Sequence, residues 1–183
     1  MPRILSLKMA LPLKVLLLGL SVISFSLLTA LGANLRFFLP GNPVPLTLQT
    51  FFVLLAGGLL GAGWGTASQL FYLILGLTGL PYFALSAGLF GPSGGYLLSF
   101  LPAAFLTGYL LALKAKPSFL FIFTVLAGVS LLIDLLGAWQ LSWFLPKTFS
   151  AFSCGVIPFL PGDLLKTIIA SVIIYQGKKY LPG

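Results

Sequence analysis

Long apolar runs separated by short clusters of glycine, proline and lysine make up almost the whole chain. A helix needs about 20 apolar residues to cross a bilayer, with a range of roughly 17 to 25. The pattern predicts such helices from about Leu11 to Ala33, Gly94 to Leu113, Ser118 to Trp139 and Gly162 to Gln176. Two shorter runs, Thr47 to Gly61 and Thr66 to Leu80, are joined by Ala62-Gly63-Trp64-Gly65, which reads as a tight turn with an interfacial tryptophan. Each of these two either crosses at a thin point or ends inside the protein. Ser26 and Ala30 form a small-xxx-small pair on which another helix could approach closely. Three segments break the helical pattern. Asn34 to Pro45 carries three prolines in six residues, which forces an extended or turned path. Leu80 to Gly95 is rich in glycine and small residues, and Gln140 to Pro161 is a loop with Trp143, Pro146 and Pro158.

The expectation is therefore an all-α integral membrane protein of six transmembrane helices, forming one domain over residues 1–183. Composition supports it: 59% of residues are hydrophobic and only 7% charged, whereas soluble domains carry about a quarter charged residues. The first run resembles a secretory signal, with Lys8 and Lys14 ahead of it and Ala30-Leu31-Gly32 as a weak cleavage-site mimic. It is expected to be the first transmembrane helix instead. Six crossings put Arg3, Lys8, Lys14, Lys114, Lys116, Lys178 and Lys179 on the side of the termini, and only Arg36 and Lys147 on the other. Seven against two places both termini in the cytoplasm by the positive-inside rule. The expected location is a cell membrane, with a bacterial inner membrane as the natural setting. The net charge of +8 comes from these segment-flanking residues, not from one basic face, so no nucleic-acid partner is expected.

Candidate chemistry is sparse. Histidine and glutamate are absent, and Asp134 and Asp163 are the only acids, which removes most acid–base and metal chemistry. The lone Cys154 has no partner for a disulfide and no histidine for a catalytic pair, and is expected to be a small buried residue. No catalytic residue, metal or cofactor is expected, and a small lipid-modifying enzyme is disfavoured. One stretch stands out: Pro158-Phe159-Leu160-Pro161-Gly162-Asp163-Leu164-Leu165-Lys166-Thr167. Pro161 suits the start of a helix, with Asp163 near its N-terminus and Lys166 one turn further on the same face. Ionisable residues in a membrane segment mark a functional site by default, and a structural ion pair between helices is the alternative. Under the six-helix arrangement, the three irregular segments and the Asp163 end of the last helix share the outer side. Irregular backbone at membrane depth is tolerated where it lines a cavity, so a ligand cavity is expected there. Asp134, mid-span, could be protonated, paired with a polar group or exposed at a partner interface.

Four stretches resemble the BioY substrate-binding components of energy-coupling-factor biotin transporters. They are Pro43 to Thr50 with the run Phe51 to Gly58 after it, Leu75 to Ala84, Gly91 to Leu97, and Gly155 to Lys166, in the family's order and covering most of the chain. The resemblance implies a high-affinity subunit that binds biotin from outside. It also implies a transmembrane coupling protein and a pair of cytoplasmic ATPases as partners, ATP being used by those partners. The pattern Gly-x-x-x-x-Gly-Lys-Ser/Thr is absent, with Leu165 before Lys166-Thr167 where glycine is required, which fits ATP hydrolysis on another chain. Three features depart from the family: a shorter Phe83 to Gly91 loop, Asp134 where an aromatic residue is usual, and no alanine-xxx-alanine motif early in the first helix.

For biotin, Lys166 could pair with the carboxylate and Asp163 could accept from the ureido N–H groups, or the contacts could be reversed. Arg36 could also meet the carboxylate, or face lipid headgroups. Thr47 and Gln49 could donate to the ligand, and Gln49 could equally cap loop backbone. Tyr82 and Tyr96 could pack on the bicycle with wet hydroxyls, or act as interface anchors. Gly91, Gly94 and Gly95 are expected to serve close packing or a turn. A stand-alone biotin facilitator, and a subunit for another small vitamin, are the alternative functions.

Overall fold

A computed structural model describes residues 11–38, 42–79, 88–146 and 150–180. In chain order these form α1 (Leu11–Asn34), β1 (Arg36–Phe37), β2 (Leu46–Thr47), α2 (Gln49–Leu77), α3 (Gly94–Ala112), α4 (Phe119–Leu141), α5 (Ala151–Gly155) and α6 (Leu160–Tyr180). Four of the helices, α1 to α4, are long and apolar enough to cross a membrane. α6 is 21 residues long but less apolar, because Asp163 and Lys166 interrupt it.

α2 is not one rod. Gly61 has φ 81° and ψ 176°, and the helix reverses there. The arms 49–60 and 62–77 run antiparallel: a Cβ on Gly65 would lie 2.8 Å from Gly57, and Gln49 at one end reaches Tyr72 at the other. At 1.5 Å per residue the arms are roughly 18 and 24 Å long, less than the ~30 Å hydrocarbon core. The turn therefore falls at Gly61, and Ala62 to Gly65, expected as the turn, belong to the second arm. The reason is conformational: this combination of φ and ψ is open essentially to glycine alone. Gly61→Ala is expected to cost about 1–3 kcal/mol, read as a lower melting temperature of the ligand-free protein in detergent. An unchanged melting temperature would mean that the reversal does not depend on this backbone geometry.

The hairpin is the centre of the bundle. It packs on α1, on α3 and on α6, while α4 packs on α3 and α6. Close approach uses small residues: a Cβ on Gly57 would lie 2.4 Å from the Ala104 carbonyl oxygen. On α1, the Ser26–Ala30 pair is buried together with Thr29, Gly32 and Ala33, and Thr29 Oγ1 lies 3.3 Å from Gln69 Oε1 on the hairpin. Outward-facing positions are apolar, among them Leu20, Ile23, Leu27 and Leu31 on α1, and Ile168, Ile169 and Val172 on α6. Such a surface suits lipid and not water.

The helix directions bring six segment ends together at one end of the bundle: the C-termini of α1, of the second hairpin arm and of α4, and the N-termini of the first arm, α3 and α6. The proline-rich segment lies there as a two-stranded antiparallel ribbon, with Arg36 opposite Thr47 and Phe37 opposite Leu46. Asn42 pins it down, donating to the Cys154 carbonyl at 2.7 Å while its Oδ1 accepts from the Val44 N–H at 3.0 Å. Cys154 is half-buried rather than buried. The expected loop from Gln140 to Pro161 contains α5, capped by the Ser150 hydroxyl. Tyr82, Lys147 and most of the Phe83 to Gly91 loop lie outside the described residues.

Candidate functional site

A half-open cavity of about 260 Å³ occupies the end of the bundle where the ribbon lies. That is just below the range of roughly 300–1,000 Å³ typical of ligand pockets. It is lined by Arg36, Thr47, Gln49, Tyr96, Asp163 and Lys166, all expected from the sequence, and by Thr50, Tyr72, Phe100, Asp134 and Phe159, which were not assigned to a site.

The floor is built on the first turn of α6. Pro161 sits where no intrahelical N–H is needed, and the Asp163 N–H donates to the Phe159 carbonyl at 2.9 Å. Three residues on, Lys166 forms an ion pair with the Asp163 carboxylate. Its ammonium also donates to the Thr47 carbonyl at 3.1 Å and to the Thr50 hydroxyl at 2.9 Å. An ammonium has three donors, so all three have protein partners. Lys166 thus joins α6 to the ribbon and to the hairpin as well as facing the cavity. The carboxylate differs: apart from the ion pair, neither oxygen of Asp163 has a hydrogen-bond partner among the described residues. The spare hydrogen-bonding capacity of the floor is therefore acceptor capacity.

Gln49 is only 7% exposed, so its amide must find partners inside. It neither caps loop backbone nor faces outward: Nε2 donates to the Tyr72 hydroxyl at 2.6 Å and Oε1 accepts from the Thr47 hydroxyl at 3.2 Å. Thr47, Gln49 and Tyr72 thus form a chain across the hairpin along one wall. Tyr96 differs from expectation too. Its hydroxyl is not wet but donates to the Gly155 carbonyl at 2.6 Å. The ring lies on Gly137, where a Cβ would come within 2.3 Å, and stands edge-on to Phe159 at 5.6 Å. Gly94 and Gly95 serve close packing as expected, since a Cβ on either would meet the carbonyl oxygen of Leu89 or Leu136. Phe100, 6.4 Å from Tyr72, completes an aromatic wall. Arg36 is exposed on the ribbon at the cavity rim.

Asp134 is 2% exposed and faces inward from α4, on the face shared by Ser130, Ile133, Gly137 and Leu141. Its carboxyl lies within hydrogen-bonding reach of the Asp163 carboxyl and within electrostatic reach of Lys166. The i, i+3 and i+4 spacing of small and apolar residues around it is the sequence signal for this orientation. Tyr72, Phe100 and Phe159 carried no such signal, because their placement depends on how the hairpin and α3 pack.

An apolar, lipid-facing exterior around a half-open cavity with an acidic floor defines a membrane protein with a cavity at one end of its helix bundle. Residues 9–183 match the BioY family. The chain is 38% identical to a biotin transporter BioY of Thermotoga maritima, over 85% of this chain and 92% of that protein. It is 40% identical to a probable biotin transporter BioY of Pyrococcus horikoshii, over 81% and 88%. Its structure is similar to the crystal structure of the S-component for biotin from an ECF-type ABC transporter. The TM-score is 0.80 at 31% identity, covering 94% of this chain and 95% of that one. The chain belongs to the BioY family, a family of transporters.

Proposed function

We propose that this chain is the biotin-binding membrane subunit of an energy-coupling-factor importer. The observation that carries the reading is a cavity with unsatisfied acceptor oxygens on Asp163 between aromatic walls, in a chain whose relatives are named biotin transporters. Biotin's cyclic urea offers N–H donors, its fused rings are apolar, and its valerate chain ends in a carboxylate. Asp163 accepts from the urea. Tyr96, with Tyr72, Phe100 and Phe159, packs against the rings. Thr47 and Gln49 orient the wall. The carboxylate points to the rim, where Arg36 meets it bidentately; Lys166 already has three protein partners and acts chiefly by holding Asp163.

The two hairpin arms, α1, α3, α4 and α6 make six membrane segments. Lys14, Lys114, Lys116 and Lys178 lie at the end away from the cavity, which supports cytoplasmic termini and an outward-facing site in the cell membrane. A transmembrane coupling protein and a cytoplasmic ATPase pair then drive delivery inward, since the chain has no nucleotide-binding motif of its own.

Equilibrium titration of the purified protein in detergent with radiolabelled biotin tests the ligand. Saturable one-to-one binding that unlabelled biotin displaces is expected; a well-folded sample that binds none overturns the reading. Purification from native membranes tests the partners: an ATPase pair is expected to accompany the chain, and uptake without one would favour a stand-alone facilitator.

A further inference from the structure

We propose that Asp134 is a second ligand-contacting acid, which together with Asp163 holds the N–H edge of the ligand's cyclic urea and sets specificity for it. The inference rests on the biotin reading above. Asp134 stands deep in a membrane helix, almost wholly buried, yet it lines the cavity. Its Oδ2 has no hydrogen-bond partner, and neither Asp163 oxygen has one beyond the ion pair. A buried polar atom without a partner is costly, and in a native structure it calls for an explanation.

The two carboxyl groups come within hydrogen-bonding reach of each other, yet the surrounding cation, hydroxyl and amide groups supply no donor to the oxygens left over. Lys166 spends its ammonium on Asp163, Thr47 and Thr50. Tyr96 donates to Gly155, and Gln49 donates to Tyr72. Among the described residues, Lys166, Tyr96 and Gln49 are thus committed, and the Ser130 hydroxyl one turn away on α4, though free, is not bonded to Asp134, so acceptor oxygens remain from two packed helices, α4 and α6. A ligand that brings two N–H groups on one rigid ring fits this imbalance: one acid accepts from each. The same arrangement favours still more a ligand whose urea oxygen is replaced by an imine. Such a ring carries a guanidinium at neutral pH, and a second carboxyl strengthens its charge-assisted hydrogen bonds.

The test compares biotin with 2-iminobiotin on the purified protein, on Asp134→Asn, which keeps the shape and one acceptor oxygen, and on Asp134→Ala. Melting of the ligand-free proteins is recorded alongside. The expected result is a loss of about tenfold or more in biotin affinity for Asp134→Ala. For Asp134→Asn, iminobiotin affinity is expected to fall at least several-fold more than biotin affinity. A purely structural role would weaken both ligands alike. Equal losses for the two ligands, or affinities within threefold of the parent for both, overturn the proposal while biotin remains the ligand. Failure of the parent protein to bind biotin instead overturns the functional reading, and this inference with it.

Discussion

Lys166→Ala is expected to weaken biotin binding by roughly thirty- to several-thousand-fold, the equivalent of about 2–5 kcal/mol for removing one partner of a buried charge pair. The side chain is only 12% exposed and ties three segments together: α6 through Asp163, the ribbon through Thr47, and the hairpin through Thr50. Alanine leaves Asp163 beside Asp134 without its ion-pair partner, so much of the loss is the penalty of stranded charge rather than of a missing ligand contact. Ligand-free melting should fall as well. Asp163→Asn is expected to cost comparable affinity by another route, since it replaces a carboxylate acceptor with an amide and leaves the ammonium uncompensated. Isothermal titration of both variants decides the matter. Affinities within threefold of the parent in both would remove this pair from the site and shift attention to Arg36 and the ribbon.

Gly108→Leu is the second change expected to have a large effect, this time on the fold. A Cβ at Gly108 would stand 2.1 Å from the Ala62 backbone nitrogen and 2.4 Å from the Gly61 carbonyl carbon. Those atoms form the reversal of the hairpin and cannot rotate away as a side chain can. Overpacking of this kind costs about 1–3 kcal/mol and occasionally more, or a fall of about 2–12 °C in melting temperature for a chain of this size. A sample that elutes as aggregate in size-exclusion chromatography would be the extreme form of the same result. Gly128→Ala is the matched control, because nothing lies within 4 Å of its Cβ position. There the gain in helix propensity, up to about 1 kcal/mol, should leave stability unchanged or slightly raised. Equal melting temperatures for the two variants would show that α3 does not depend on close approach at Gly108.

Much of this protein is legible without coordinates. The ends of α1, α3, α4 and α6 fall within a few residues of where the apolar runs end, because a membrane segment must satisfy its backbone internally and advertises this as an unbroken apolar run. Asp163 and Lys166 declare themselves for the complementary reason: charge is so unfavourable among apolar residues that its presence needs a cause. The hairpin turn was displaced by a few residues, since Ala62-Gly63-Trp64-Gly65 reads as a turn while the backbone conformation that reverses the chain belongs to Gly61. Tyr96 and Gln49 line the cavity, but the Tyr96 hydroxyl meets the Gly155 carbonyl instead of water and the Gln49 amide meets Tyr72 instead of loop backbone, because a tyrosine hydroxyl or an amide at a helix end has the same sequence signature whether it meets water, ligand or protein.

The sequence by itself determined the class of protein, the helical segments and the one charged pair inside them, as these follow from the cost of placing polar groups in hydrocarbon. Tertiary structure alone decided what surrounds that pair. Thr50 joined Lys166 across more than a hundred residues, Tyr72 met Gln49 through the fold of the hairpin, and Asp134 turned from an unexplained acid into part of the cavity floor. Local composition records how each segment meets lipid, but which buried polar groups share a partner depends on the rotation and depth of packed helices, and small residues such as Gly57, Gly108 and Gly137 set these by close contact.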